Sequence, residues 1–220
     1  MNIMAPKKNK RTPGRPKEQH GANTDEILRI ALRCFAKKGY GGLTMNALAQ
    51  ETGVTDSLLH YHFGNKEEIW KKALSLVGGE IYKELEDLFK LIEELDGLQK
   101  LRLFNKKIVF VSAKHPEFQQ IIVQEVFSES ERSEWLIKEL LRPIYSFMGQ
   151  VIETEKEKGT IKNIPEANLT SFIIGSITTL FSRSFQMKKL YGIDSFDEEE
   201  VERHATVINE LIFHGLQVDE

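Results

Sequence analysis

Apolar residues recur at helical spacing along most of the chain, without the alternation that is typical of strands. Ile27, Ala31 and Phe35 follow one another at intervals of four residues, which places them on one face of a helix. The Asp96-Gly97 pair has the composition of a hairpin turn, but the residues on both sides of it follow a helical pattern. The sequence therefore predicts an all-α protein.

Residues that favour helix ends divide this pattern into separate elements. A Ser, Thr, Asp or Asn side chain before an apolar run accepts hydrogen bonds from the first free N–H groups of a helix. We predict about nine helices, which begin near Asn23, Thr44, Thr55, Asn65, Asp96, Pro116, Arg132, Pro165 and Asp197. Gly39 should end the first helix in the left-handed conformation, and Gly53 and Gly159 should also end helices. We expect Pro143 to kink the helix predicted over 132–158.

Length and composition restrict the class of protein. The chain has 220 residues, of which 40% are apolar, so it can bury a sizeable core. Its single cysteine, Cys34, excludes an intramolecular disulfide and a multi-cysteine metal site. The longest weakly polar stretch, 169–181, is shorter than the roughly 20 residues of a membrane helix. We therefore predict a cytoplasmic protein with no membrane association.

Charge is concentrated at the N-terminus. Residues 1–17 carry six basic side chains and no acid, whereas the other 203 residues carry 24 basic and 33 acidic side chains. Three prolines and Gly14 favour an extended arm over 1–22. Gly14-Arg15-Pro16 resembles an AT-hook, so Arg11 and Arg15 are candidates for contact with a DNA minor groove. A basic tail that only improves solubility is the alternative.

Residues 44–66 carry the most informative spacing. A short helix capped by Thr44 ends at Gly53, and a second short helix begins after Thr55. Ala49 is small enough to let the two helices approach closely, and Val54 is apolar within an otherwise polar turn. This arrangement predicts a helix-turn-helix, in which the second helix enters the major groove of DNA.

Several residues at fixed spacing give this segment a family resemblance. Residues 24–70 resemble the N-terminal domain of TetR-type transcriptional regulators at Thr44, Ala49, Gly53-Val54-Thr55, Leu59, His62-Phe63 and Asn65-Lys66-Glu67. The resemblance implies a three-helix DNA-binding domain over 23–69 and a helical effector-binding and dimerisation domain over 70–220.

The same segment supplies candidate DNA-binding residues. Thr44 and Thr55 lie at helix N-termini, whose free N–H groups bind phosphate, and Lys66 can reach a phosphate as a point charge. Family members read DNA from positions that correspond here to Asp56, Ser57, Leu58, His60, Tyr61 and His62. Family members commonly have tyrosine in place of His60. Asp56 could accept a hydrogen bond from cytosine, or only stabilise the N-terminus of its helix.

The C-terminal helices carry candidates for an effector pocket and a dimer interface. Apolar residues beyond one helical stripe could line a cavity or simply form the core, namely Phe104, Ile108, Phe127, Tyr145, Met148, Ile174, Thr178 and Phe181. The family resemblance implies a ligand pocket in this domain and a homodimer. The helix over 165–190 is apolar around most of its circumference, so we expect it and the helix over 197–216 to pack against a second subunit.

The sequence contains no Ser-His-Asp arrangement, Gly-rich phosphate loop or HExxH motif. We therefore predict no enzymatic activity, no cofactor and no metal site. The favoured function is a homodimeric repressor that binds a palindromic operator in double-stranded DNA and is released by a small, largely apolar effector. The alternatives are a constitutive DNA-binding protein without an effector, and a helical ligand-binding protein that has lost DNA binding.

Overall fold

The computed structural model describes residues 24–216, and every regular element in that range is a helix. The N-terminal elements are α1 (Thr24–Lys38), α2 (Met45–Thr52), α3 (Asp56–Phe63) and α4 (Lys66–Leu91). The C-terminal elements are α5 (Gly97–Lys114), α6 (Pro116–Glu125), α7 (Glu131–Leu136), a π-helical segment (Ile137–Leu141), α8 (Arg142–Glu157), α9 (Glu166–Ser182), α10 (Ser184–Tyr191) and α11 (Glu198–Leu216). The predicted all-α class is confirmed, while the predicted cap Asn23 lies outside the described residues.

The predicted helix ends in the N-terminal half are largely those observed. The side chains of Thr44, Thr55 and Asn65 each accept a hydrogen bond from the N–H group three residues later. Gly53 ends α2 with φ +71°, a conformation in which a side chain would be strained. These interactions are local, so the sequence is sufficient to predict them.

The predicted helix over 132–158 is divided in the structure. Proline lacks an N–H group and its ring clashes with the carbonyl one turn earlier, so it disrupts the regular ladder. Here the chain widens into the π-helical segment Ile137–Leu141 directly before Arg142 and Pro143. The expected kink at Pro143 is therefore a change of helix type over the preceding turn.

The prediction of one continuous helix over 165–190 is wrong. The chain breaks at Arg183, where φ is −111° and ψ is 22°, and α9 and α10 are separate helices. Hydroxyls in the last turns of α9 donate to its own carbonyls: Thr178 to Ile174 at 2.9 Å and Ser182 to Thr179 at 3.2 Å. Such bonds compete with the backbone hydrogen bonds of the helix, and they favour a bend in the helix or its termination.

One apolar core runs through both halves of the described chain. The long helix α4 contributes Trp70, Leu74, Ile81 and Leu85 to this core along its length, and it packs on both α1 and α5. Gly78 is buried, and a Cβ there would lie 3.0 Å from Leu140, so this glycine permits close packing. No described helix is long and apolar enough to cross a membrane.

Candidate DNA-binding surface and effector cavity

The helix-turn-helix is held by a small apolar centre. Leu48 and Ala49 of α2 and Leu59 and Phe63 of α3 are all buried, which fixes the two short helices against each other. Val54 in the turn is half-buried and packs on the same core. As a result α3 presents a fixed outer face to solvent.

The predicted DNA-reading residues lie on exposed parts of α3. The side chain of Tyr61 is 83% exposed and that of Leu58 is 38% exposed. The other exposed candidates on this helix are Asp56, Ser57, His60 and His62. Thr44 and Thr55 are also exposed, at the N-termini of α2 and α3. Arg11 and Arg15 lie outside the described residues.

Two of these candidates contact their own helix. His60 Nδ1 lies 2.7 Å from the carbonyl oxygen of Gly64, to which it can donate a hydrogen bond. His60 Nε2 lies 3.6 Å from Asp56 Oδ2, one turn earlier. These contacts agree with one of the two roles that the sequence left open for Asp56, namely stabilisation of its own helix.

Lys66 has structural contacts that its position in the sequence did not indicate. Its Nζ donates to the carbonyl oxygens of Tyr40 at 3.0 Å and Leu43 at 2.9 Å, and lies 4.1 Å from the centre of the Tyr40 ring. An ammonium group has three donors, so one remains for a phosphate. Lys66 therefore holds the loop that leads to Thr44.

A second feature is an apolar cavity of about 250 Å³ in the C-terminal half. Its walls come from α4, α5, α6, the π-helical segment, α8 and α9. Four of the eight effector candidates line it, namely Ile108, Tyr145, Ile174 and Thr178. Partial burial raises the pKa of Tyr145 above that of a free tyrosine.

The other four effector candidates lie elsewhere. Phe104 is fully buried in an aromatic cluster with Phe89 and Phe147, and Met148 is also fully buried. Phe127 is 86% exposed, and Phe181 packs on Phe196 and His204. Helical spacing indicates which residues face inward, but not which inward-facing residues surround a void.

Sequence reasoning missed the contribution of α6 to the cavity. Phe118, Gln119, Ile122 and Val123 all line it. Their spacing of three and four residues after Pro116 places them on one helix face, a signal that was available in the sequence. Only packing against α8 and α9 shows that this face borders the cavity.

An exposed apolar surface lies on α9 and α11. Phe172 is 59% exposed, Val207 42% and Leu211 66%. Gly175 and Ser176 line a shallow hollow of about 590 Å³ together with Phe172 of α9 and Ile208 of α11. Apolar side chains grouped on a surface in this way commonly mark a contact with another protein.

Two further features of the described chain are its buried thiol and the distribution of its potential metal ligands. Cys34 is buried, and that burial raises the pKa of its thiol, which keeps it protonated. Among residues 24–216, no group of three or more His, Cys, Asp or Glu side chains is arranged to hold a metal ion.

The fold and the exposed α3 define a helix-turn-helix DNA-binding regulator. Residues 27–73 match the family described as bacterial regulatory proteins, tetR family. The N-terminal part of the chain therefore carries the DNA-binding domain of this family of transcriptional regulators. The family resemblance inferred from Thr44, Gly53 and Thr55 is thereby confirmed.

Several known proteins are similar to this chain over most of its length. The chain is 22% identical over 203 residues to the HTH-type transcriptional repressor NicS of Pseudomonas putida, covering 91% of this chain and 95% of NicS. The regulator PfmR of Thermus thermophilus has a TM-score of 0.67 at 21% identity, covering 90% of this chain and 100% of PfmR. FadR of Bacillus subtilis, solved in complex with stearoyl-CoA, has a TM-score of 0.64 at 20% identity, covering 86% of this chain and 97% of FadR.

Replacing Lys66 with methionine should destabilise the protein. The variant keeps an unbranched side chain but removes the ammonium donor from the carbonyls of Tyr40 and Leu43. We expect the free energy of unfolding to fall by about 1–3 kcal/mol, measured by urea denaturation at fixed protein concentration. Lys83→Met on the exposed face of α4 is the control, and should change the free energy by less than about 0.5 kcal/mol. Equal effects of the two variants would contradict the structural role of Lys66.

Proposed function

We propose that this protein is a homodimeric, cytoplasmic transcriptional repressor that leaves a palindromic operator when a small, largely apolar effector binds its C-terminal domain. The observation that carries the proposal is the exposed face of α3, supported on a helix-turn-helix whose neighbouring domain contains an apolar cavity. NicS is described as a repressor, which supports repression instead of activation in this proposal.

The DNA-binding domain, 23–69, contacts the operator through α3. The outward side chains of Ser57, Leu58, Tyr61 and His62 offer hydroxyl, apolar and imidazole groups to base edges. The N-termini of α2 and α3, at Thr44 and Thr55, contact flanking phosphates. Arg11 and Arg15, on the arm over 1–22, add minor-groove contacts, while Lys66 supplies its remaining donor to a phosphate.

Tyr61 provides the direct test of DNA binding. Because its ring is 83% exposed, Tyr61→Ala should weaken operator binding at least about tenfold while changing stability by less than about 0.5 kcal/mol. Fluorescence anisotropy would compare the DNA upstream of the protein's own gene with a shuffled duplex, at about 150 mM salt, where non-specific contacts are screened. Tyr61→Phe separates the hydroxyl from the ring, and Leu91→Ala at the far end of α4 is a matched exposed control. Equal binding of wild type to both duplexes would favour a constitutive, non-specific DNA-binding protein.

Dimerisation provides the two-fold symmetry that a palindrome requires. We place the interface on α9 and α11, within 165–190 and 197–216, because Phe172, Val207 and Leu211 would otherwise leave apolar surface in water. The small residues Gly175 and Ser176 allow two copies of α9 to approach closely.

A charge on this surface should separate the subunits. Leu211→Glu would place an unpaired carboxylate in the proposed interface, so we expect monomers in analytical ultracentrifugation together with a loss of operator binding. Leu91→Glu adds the same charge at another highly exposed leucine and should leave both properties unchanged. A stable Leu211→Glu dimer would place the interface elsewhere.

Effector control requires a connection between the cavity and the DNA-binding domain. Helix α6 lines the cavity through Ile122, and its Gln124 Nε2 donates to the carbonyl oxygen of Ala36 in α1 at 2.9 Å. Arg132 of α7 stacks on the Tyr40 ring at 3.8 Å. A displacement of α6 or α7 by a ligand would therefore move α1 and the loop that contains Tyr40, both of which adjoin the helix-turn-helix. The stearoyl-CoA complex of FadR supports an effector with a long apolar part.

Filling the cavity should mimic the effector. Thr178→Phe adds volume to the cavity wall and favours the conformation in which α6 is displaced, so operator affinity should fall at least about tenfold, by the coupling energies typical of such switches. Thr178→Val removes the hydroxyl without adding volume and should bind the operator within about twofold of wild type. Circular dichroism and sedimentation would verify that both variants are folded dimers. Unchanged operator affinity in a folded Thr178→Phe dimer would contradict coupling through this cavity.

A further inference from the structure

The apolar cavity continues to the surface. Val126, Leu141 and Tyr145 line the cavity and also line an open groove of about 380 Å³. The remaining groove residues are Ile137 and Arg142. The cavity and the groove therefore meet along a shared set of side chains, which forms one mouth of the cavity.

The mouth is built where the chain departs from regular α-helix. Ile137 and Leu141 begin and end the π-helical segment, and Tyr145 follows one turn into α8. Short π-helical segments within α-helices occur frequently at functional sites. Ile137 is 45% exposed and Phe127, beside Val126, is 86% exposed. The rim thus offers apolar surface that a hydrocarbon chain would cover.

Arg142 is the charged residue in the lining of this mouth. Its side chain is exposed and forms no ion pair with another residue of the described range 24–216. The nearby carboxylate of Glu139 lies 3.2 Å from Lys138 Nζ. A guanidinium without an acidic partner is suited to pair with a carboxylate or another acidic group.

The inner cavity suits a hydrocarbon chain, at the other end of a molecule whose acidic group pairs with Arg142. Apolar side chains make up most of its walls, and the hydroxyl of Thr178 is already donated to the carbonyl oxygen of Ile174. At about 30 Å³ for each water-sized group, about 250 Å³ accommodates roughly eight methylene groups. An unbranched chain of that order would fill the cavity and emerge between Leu141 and Tyr145.

We propose that the effector is an amphipathic anion, whose hydrocarbon chain occupies the cavity and whose acidic group pairs with Arg142 at this mouth. The inference rests on the proposed function, because it assigns chemistry and orientation to the effector of that function.

The cavity also borders a second opening, through which the acidic group of the effector would face Arg183 instead of Arg142. A hollow of about 650 Å³ between α6 and the junction of α9 and α10 shares Gln119 and Val123 with the cavity and contains Arg183. Its lining is more polar than that of the groove, with Gln120, Gln124 and Gln186 among its residues. A hydrocarbon chain is better covered by the apolar groove, so the Arg142 side is favoured.

Calorimetric titration of the full-length protein with decanoate and with 1-decanol tests the proposal. Both probes have the same ten-carbon chain, but only decanoate carries a charge. Wild type should bind both, and Arg142→Gln should weaken decanoate binding about fivefold, the scale of a partly solvated ion pair, without changing decanol binding. Arg183→Gln, which neutralises the arginine of the other opening, is the matched control and should bind both probes like wild type.

The other outcomes overturn the proposal in distinct ways. Weaker decanoate binding in Arg183→Gln alone would place the acidic group in the other opening. Equal loss of both probes in Arg142→Gln, or no loss of either, would exclude the proposed ion pair. No binding of decanoate to wild type would reject this class of effector. Operator titration of the same preparations separates these failures from failure of the proposed function, since specific operator binding does not depend on the ligand's identity.

Discussion

Trp70 lies near the start of α4, where the two halves of the structure meet. Its buried ring packs edge-on against Tyr40, with centroids 6.3 Å apart, and against Trp135 of α7 at 5.6 Å. Tyr40 belongs to the loop before α2, whereas Trp135 belongs to the C-terminal half. A large aromatic side chain shared in this way ties the position of the DNA-binding domain to that of α7.

Charged groups reinforce the same junction. Arg132 stacks on Tyr40 and its Nη2 lies 3.3 Å from the buried carboxylate of Glu125 at the end of α6. Removing one partner of a buried ion pair leaves an uncompensated charge, so Glu125 constrains where Arg132 can be. Lys66 contacts Tyr40 as well. The loop before α2 is therefore held by α4 and by the C-terminal domain together.

This junction places the regulatory elements close to both sites. Helix α6 and the π-helical segment line the cavity, and α6 and α7 contact α1 and its following loop. Packed interiors respond to added volume by shifting whole elements instead of deforming smoothly. Occupation of the cavity is thus expected to act on the helix-turn-helix through short paths, with α4 as the shared support.

The sequence alone determined the all-α class and the helix-turn-helix. Thr44, Gly53 and Thr55 act on N–H groups or dihedral angles within three residues, so their roles can be predicted without tertiary structure. Apolar spacing also predicted that Ile27, Ala31 and Phe35 share one face of α1, and all three are buried. It failed where the outcome depended on competition within a helix: the hydroxyls near the end of α9 and the widened turn before Pro143 divided helices that apolar periodicity had joined.

Tertiary structure decided which residues share a site. Lys66 contacts carbonyls 23 and 26 residues earlier in the chain, and no local pattern encodes that distance. The cavity is a space left between helices from six parts of the chain, so its boundary includes Ile108 and Thr178 but excludes the equally apolar Phe104 and Met148. Periodicity fixes the inward face of each helix, whereas the packing of several faces against one another fixes where a void remains.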